Sequence, residues 1–205
     1  MILEIKGNAL AQDFTVLAHQ CNCRGAMGAG IAKAIRAACP PAAFEEYRNI
    51  CRNNRAEDLI GKVMFMETSD GRTICNVFGQ RDYRGGPSLT EYDALERAFD
   101  HILWMYDREG AVICIPGFFG CGLAGGDWDI VFDRILLPRF RSSRALLLVA
   151  YLDPLPLLDL YKRQAKDGQG RLVNDWHGFP KGTDGGEVER YLHSLLKGRQ
   201  EEAGW

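Results

Sequence analysis

Two glycine-rich turns restrict the folds open to this chain more than any other feature. The first runs from His19 to Ala32 and the second from Pro116 to Trp128. Each follows an apolar run of strand length (Phe14 to Ala18; Ala111 to Ile115), and each opens a run of helical character. Such a turn places bare main-chain N–H groups and the positive end of a helix beside whatever is bound, which suits a phosphate. Two of them in one small domain point to a pair of phosphates, or to one diphosphate held from both sides.

The rest of the chain supplies the other layers. Residues 1 to 6 read as a strand ending at Gly7-Asn8. Ile31 to Cys39 reads as a helix stopped by Pro40-Pro41, and a second helix follows from Ala42 to Asn53. Lys62 to Met66 and Arg72 to Phe78 read as paired strands joined by a Ser69-Asp70-Gly71 turn. Thr90 has the chemistry of an N-cap, and Tyr92, Leu95, Phe99, Ile102, Leu103 and Tyr106 form one helical stripe for the core. After the second turn, Trp128, Val131, Phe132, Ile135 and Leu136 predict an amphipathic helix ending near Pro138. Ala145 to Tyr151 is a last buried strand. Apolar strands with helices between them predict a parallel or mixed sheet covered on both faces.

Length bounds the layout. The 205 residues suffice for one domain with a full core plus an appendage. The Asp153-Pro154-Leu155-Pro156 segment marks the boundary, giving a functional domain over 1–152 and a C-terminal extension over 153–205. The formal net charge of −2 provides no overall basic field for a nucleic acid backbone, which disfavours a sequence-independent DNA or RNA binder. Seven cysteines, an odd number, and no recognisable signal peptide favour a reducing, cytoplasmic setting. No apolar stretch is long enough to span a bilayer.

The segment from Leu17 through Cys21-Asn22 to Gly28-Ala29-Gly30-Ile31-Ala32, together with Gly7-Asn8 and the Gly120-Cys121-Gly122-Leu123 segment, resembles the macrodomain family. Its closest likeness is to the ADP-ribose-1″-phosphate phosphatases. The resemblance implies a three-layer α/β/α fold with a mixed central sheet, and ADP-ribose or ADP-ribose-1″-phosphate as ligand. It implies removal of the 1″-phosphate by a positioned water, with main-chain N–H groups stabilising phosphoryl charge. No metal or cofactor is expected. Three alternatives stay open: hydrolysis of ADP-ribose from a modified protein or nucleic acid, a non-catalytic ADP-ribose reader, and, more remotely, a nucleotide-binding interaction protein whose 153–205 extension contacts a partner. Relatives that remove ADP-ribose from macromolecules use a lysine in the loop after the fourth strand. Gln80 stands there in this chain, and Ala124 stands where the protein-glutamate branch has an aspartate. Both departures count against a covalent lysine mechanism.

Residue by residue, the resemblance implies ligand contacts that compete with plainer readings. Asn8, with Ala9 beside it, reaches the adenine amino group or is only a turn residue. Asn22 contacts the distal ribose and is counted with His19 and Asp127 among the catalytic candidates, or it only closes an Asx turn. Gly25, Gly28 and Gly30 admit the ligand to the backbone, with Met27 between them, while Ile31 and Ala32 offer helix-start N–H groups. Gly120, Cys121, Gly122 and Leu123 form the opposing wall. Phe118, Phe119 and Tyr83 stack on a ring of the ligand or pack in the core. His19 is a proton donor or water-orienting base, or a hydrogen-bonded strand-end histidine. Asp127 orients a water or, as the favoured reading, caps a helix.

Overall fold

A computed structural model describes residues 1–86 and 88–152, so the proposed extension over 153–205 lies outside the described residues. By contacts the chain divides into one unit of residues 1–4 and 8–150 and another that joins 5–7 to the chain from Tyr151 onward. Within the latter, the Gly7 N–H donates to the Tyr151 carbonyl at 2.8 Å. Apart from Ile5, Lys6 and Tyr151, the residues described below lie in the larger unit.

Six strands form one sheet: β1 (Ile2–Lys6), β2 (Val16–Asn22), β3 (Val63–Glu67), β4 (Thr73–Gln80), β5 (Val112–Pro116) and β6 (Leu146–Tyr151), in the order β1-β6-β5-β2-β4-β3. Strand β2 runs parallel to β4 and β5, and β5 runs parallel to β6. Strand β3 is antiparallel to β4. The sheet is therefore mixed, as the sequence predicts. The expected hairpin joins β3 and β4, with Gly71 at φ 82° in the turn. Strand β4 is apolar or buried along nearly its whole length, as a strand covered on two faces must be.

The helices are α1 (Gly30–Ala38), α2 (Pro41–Asn53), a short α3 (Ala56–Leu59), α4 (Tyr92–Tyr106) and α5 (Leu137–Arg141). Side-chain alternation in β4 shows how they cover the sheet. Phe78 faces α2, where its ring stacks on Tyr47 with centroids 6.0 Å apart. Gly79 faces the other way, where a Cβ would stand 2.6 Å from the Leu95 side chain of α4. Leu95, Phe99 and Ile102 of the expected α4 stripe are fully buried, each worth about 1.5–3 kcal/mol of apolar burial. Phe99 in turn packs on Phe140 of α5. Among the described residues no helix is long and apolar enough to cross a membrane.

Two expectations need correction. Thr90 does not cap α4: Glu91 occupies that position with no side-chain cap, and the Thr90 hydroxyl donates instead to the Gly120 carbonyl at 2.6 Å. The helix after the second turn also continues past Pro138. Ile130–Leu136 is wound as a π-helix, in which the Leu137 N–H reaches back to the Phe132 carbonyl, and Pro138 falls in the first turn of α5. A proline is tolerated there because its missing N–H has no obligatory partner.

Candidate functional site

The sheet order makes a crevice where β2 and β5 lie side by side. From β2 the chain moves into α1 and α2, on the face that carries Tyr47. From β5 it moves into the π-helix and α5, on the face of α4. Adjacent parallel strands whose onward connections diverge leave an opening at their C-terminal ends, the usual ligand position in α/β sheets. A cleft of about 810 Å³ lies there. Both glycine-rich turns line it.

The first wall comes from Ala26, Gly28, Ala29, Gly30, Ile31 and Ala32. A Cβ added to Gly28 or Gly30 meets nothing within 4 Å, so these two glycines face open space. Helix α1 begins at Gly30 without a side-chain cap, leaving its first N–H groups available. Gly25 has another reason to be glycine. It sits at φ 73°, and a Cβ there would come within 3.2 Å of the Arg48 backbone, so it serves packing against α2 and not the cleft. Met27 is likewise buried, outside the lining.

The opposing wall is Gly117 to Gly120 with Gly122, Leu123 and Ala124. Phe118 adopts a left-handed backbone, φ 57°, uncommon for an aromatic residue, and its ring lies 5.6 Å from Trp128. Phe119 lines the cleft but is mostly core, packed on Phe99 at 5.4 Å. Leu123 is highly exposed at the rim. Cys121 is not part of the lining: its thiol contacts the Phe119 carbonyl, and burial pushes its pKa up to about 12. Tyr83 closes one side, half exposed.

The candidate polar residues divide sharply. Asn22 lines the cleft, yet its Oδ1 accepts from the N–H groups of Arg24 (3.0 Å) and Ala26 (3.1 Å), and its amide donates to the Ala26 carbonyl at 2.8 Å. Tyr47 donates to the Asn22 carbonyl at 2.5 Å. Asn22 thus closes the loop as an Asx turn while presenting its face to the cleft. Asn8 lies outside the lining and is exposed; its Oδ1 accepts from Leu10 N–H at 3.0 Å, capping a short 3-10 turn over Ala9–Ala11. Ala9 is buried, and its carbonyl faces the Cys114 thiol. Asp127 is exposed and accepts from Asp129 N–H at 2.9 Å, the helix-capping arrangement, away from the lining.

His19 is corrected most. It is fully buried under the α2 face of the sheet, in register with Asn76 of β4, and is absent from the cleft wall. Its Nε2 meets Asn76 Oδ1 at 2.5 Å, which makes Nε2 the protonated nitrogen, and among the described residues Nδ1 has no side-chain partner. Desolvation lowers its pKa from 6.5 to about 4, partly opposed by Asn76. A neutral imidazole enclosed in the core cannot exchange protons with a ligand in the cleft.

The floor of the cleft was not legible as a site. Gln20 Nε2 donates to Gln80 Oε1 at 2.8 Å and to the Thr90 hydroxyl at 3.0 Å, while Gln80 Nε2 donates to the Asp82 carbonyl at 2.9 Å. The Gln20 amide fills the space that a Cβ on Gly79 or Gly120 would need, at 2.7 and 2.5 Å. The available signal was a second polar residue directly after His19 in β2, placed on the opposite face by strand alternation.

Fold and cleft together define an α/β domain built to surround a ligand with main-chain N–H groups at a strand switch point. The chain belongs to the macro domain family, whose model matches residues 18–135. Over 53 residues it is 49% identical to the ADP-ribose 1″-phosphate phosphatase of Neosartorya fischeri, covering 25% of this chain and 26% of that protein. The match thus spans about a quarter of that relative's length. The macrodomain of Mycobacterium tuberculosis DarG is 26% identical with a TM-score of 0.61, over 74% of this chain and 97% of that one. Thermosipho africanus DarTG, solved in complex with ADP-ribose, is 19% identical with a TM-score of 0.58, over 77% and 46%, and supports the fold alone.

Proposed function

We propose that the cleft binds ADP-ribose and that the protein hydrolyses ADP-ribose 1″-phosphate to ADP-ribose and phosphate. One observation carries the binding. Among the described residues, the main-chain N–H groups of Gly28, Gly30, Ile31 and Ala32, and of Gly120, Gly122 and Leu123 opposite, make no hydrogen bond. Unpaired amides on two facing walls are complementary to a diphosphate. The adenosine and the distal ribose then extend to either side, with the distal ribose at Asn22.

The short stretch of identity to a 1″-phosphate phosphatase supports the reaction. In it, a water oxygen attacks phosphorus, the bond from phosphorus to the ribose oxygen breaks, and that oxygen leaves with a proton. The walls contribute position and oriented dipoles. Gln80 does not act as a nucleophile in this scheme, since both ends of its amide are already bonded.

A second reading, an ADP-ribose reader without turnover, draws on another observation. No Asp, Glu, His, Lys or Arg is among the described residues lining the cleft. An ADP-ribosylated macromolecule would be the partner in that case. Calorimetry with ADP-ribose against ATP and NAD tests the binding, and selective binding of ADP-ribose is expected. Phosphate release from ADP-ribose 1″-phosphate, with Asn22→Ala beside the wild type, tests the reaction; tight binding with no phosphate released would leave the reader.

A further inference from the structure

The uncharged lining poses a problem for a substrate that ends in a phosphomonoester. A diphosphate diester can be satisfied by main-chain N–H groups, but a terminal phosphomonoester carries roughly −1.5 to −2 charge near neutrality and is best met by cations. The cleft wall supplies none. Two arginines outside the lining follow closely on residues that belong to it, Arg24 after Asn22 and Arg84 after Tyr83.

Arg24 follows Asn22 by two residues, and its N–H donates to Asn22 Oδ1. Its Nε donates to Asp82 Oδ2 at 3.0 Å. Arg84 donates to the same carboxylate through Nε at 3.2 Å and through a terminal nitrogen at 3.3 Å. Asp82 also accepts from the N–H groups of Tyr83 and Arg84, at 2.8 and 3.1 Å. These bonds hold its carboxyl well below the usual carboxylate range, the Arg84 side chain foremost. Tyr83, between the two charged residues, is part of the cleft wall, and its ring lies 5.4 Å from the Arg84 guanidinium. The cluster is therefore joined to the cleft on both sides, through Asn22 and through Tyr83.

Two guanidiniums share one carboxylate at Asp82, while Arg81 nearby pairs with both Glu57 and Glu91, so the charges of the three arginines cancel overall and the positive excess is confined to the Asp82 side. Among the described residues Arg24 commits only Nε, and its side chain is 54% exposed; that of Arg84 is 70% exposed. Exposed ion pairs of this kind contribute little to folding, so stability does not account for two arginines oriented on one fixed anchor. Arginine presents paired N–H donors that fit phosphate oxygens.

We infer that Arg24 and Arg84, oriented by Asp82, form the subsite that holds a phosphomonoester on the distal ribose. This rests on the ADP-ribose reading of the cleft and names what selects the phosphorylated ligand over the plain one. Asp82 is a positioning residue here: permanently ionised, it fixes the guanidiniums and takes no proton.

The test compares calorimetric affinities for ADP-ribose and ADP-ribose 1″-phosphate in the wild type and in Arg24→Gln/Arg84→Gln. The wild type should prefer the phosphorylated ligand by about tenfold or more, as for charge-assisted hydrogen bonds, and less at high salt. In the double variant the ratio of the two affinities should fall towards one, and Asp82→Asn should lower it with both arginines present. A variant that keeps the ratio, including one that loses both ligands in parallel, overturns the inference. So does a wild type that binds both ligands equally, which leaves the ADP-ribose reading standing. A wild type that binds neither ligand removes that reading and the subsite together.

Discussion

His19 illustrates how far a residue's chemistry depends on which side of a strand it occupies. Its neutral form is stabilised by enclosure, so the folded protein binds fewer protons than the unfolded chain between pH 6.5 and about 4. Stability from this group is complete above 6.5 and declines as pH falls through that window, by up to ~3 kcal/mol. Chemical denaturation at a series of pH values should show this slope, and His19→Gln should flatten it. Turnover should lack an acidic limb assignable to His19. Gly28 offers the converse case. Gly28→Ala adds a methyl group to open space, so its melting temperature should match the wild type while ADP-ribose affinity falls by about tenfold or more, read by calorimetry. Gly25→Ala should do the opposite. It forces a left-handed residue against the Arg48 backbone, and should cost about 1–3 kcal/mol in denaturant unfolding.

At the scale of elements, the strand and helix order was legible because each run carries its own periodicity and its own stop. Pro40-Pro41 ends α1, and the Ser69 to Gly71 turn aligns β3 with β4. The two helix errors share a cause: an end signal is local, whereas the bond that decides it is not. The Thr90 hydroxyl finds a carbonyl 30 residues away, and the backbone before Pro138 widens into a π-turn. Half of the site was legible for a similar reason. Glycines and helix starts announce the walls, but the floor depends on Gln20 and Gln80 meeting across strands, which only the β2–β4 register reveals. Cutting the tie between floor and wall should loosen the second turn. Thr90→Val is expected to lower melting temperature by a few degrees, the equivalent of about 1–2 kcal/mol, and to speed amide hydrogen exchange at Gly120 to Leu123.

For the molecule as a whole, a ligand held by both walls joins the chain after β2 to the chain after β5. Such a ligand stabilises by mass action, about 2.7 kcal/mol at a hundredfold excess over Kd. A thermal-shift titration with ADP-ribose should therefore raise the melting temperature with the logarithm of concentration, and Gly28→Ala should blunt the rise. The one amide that occupies the room of two missing methyl groups has a different implication. Positions 20, 79 and 120 lie far apart along the chain yet share a single volume, so they cannot drift independently over descent. A lineage that gains a side chain at 79 or 120 must first give up the glutamine, and trimming position 20 to alanine or serine is not enough by itself, because Leu95 still crowds Gly79 and Gly120 keeps its left-handed backbone at φ 72°.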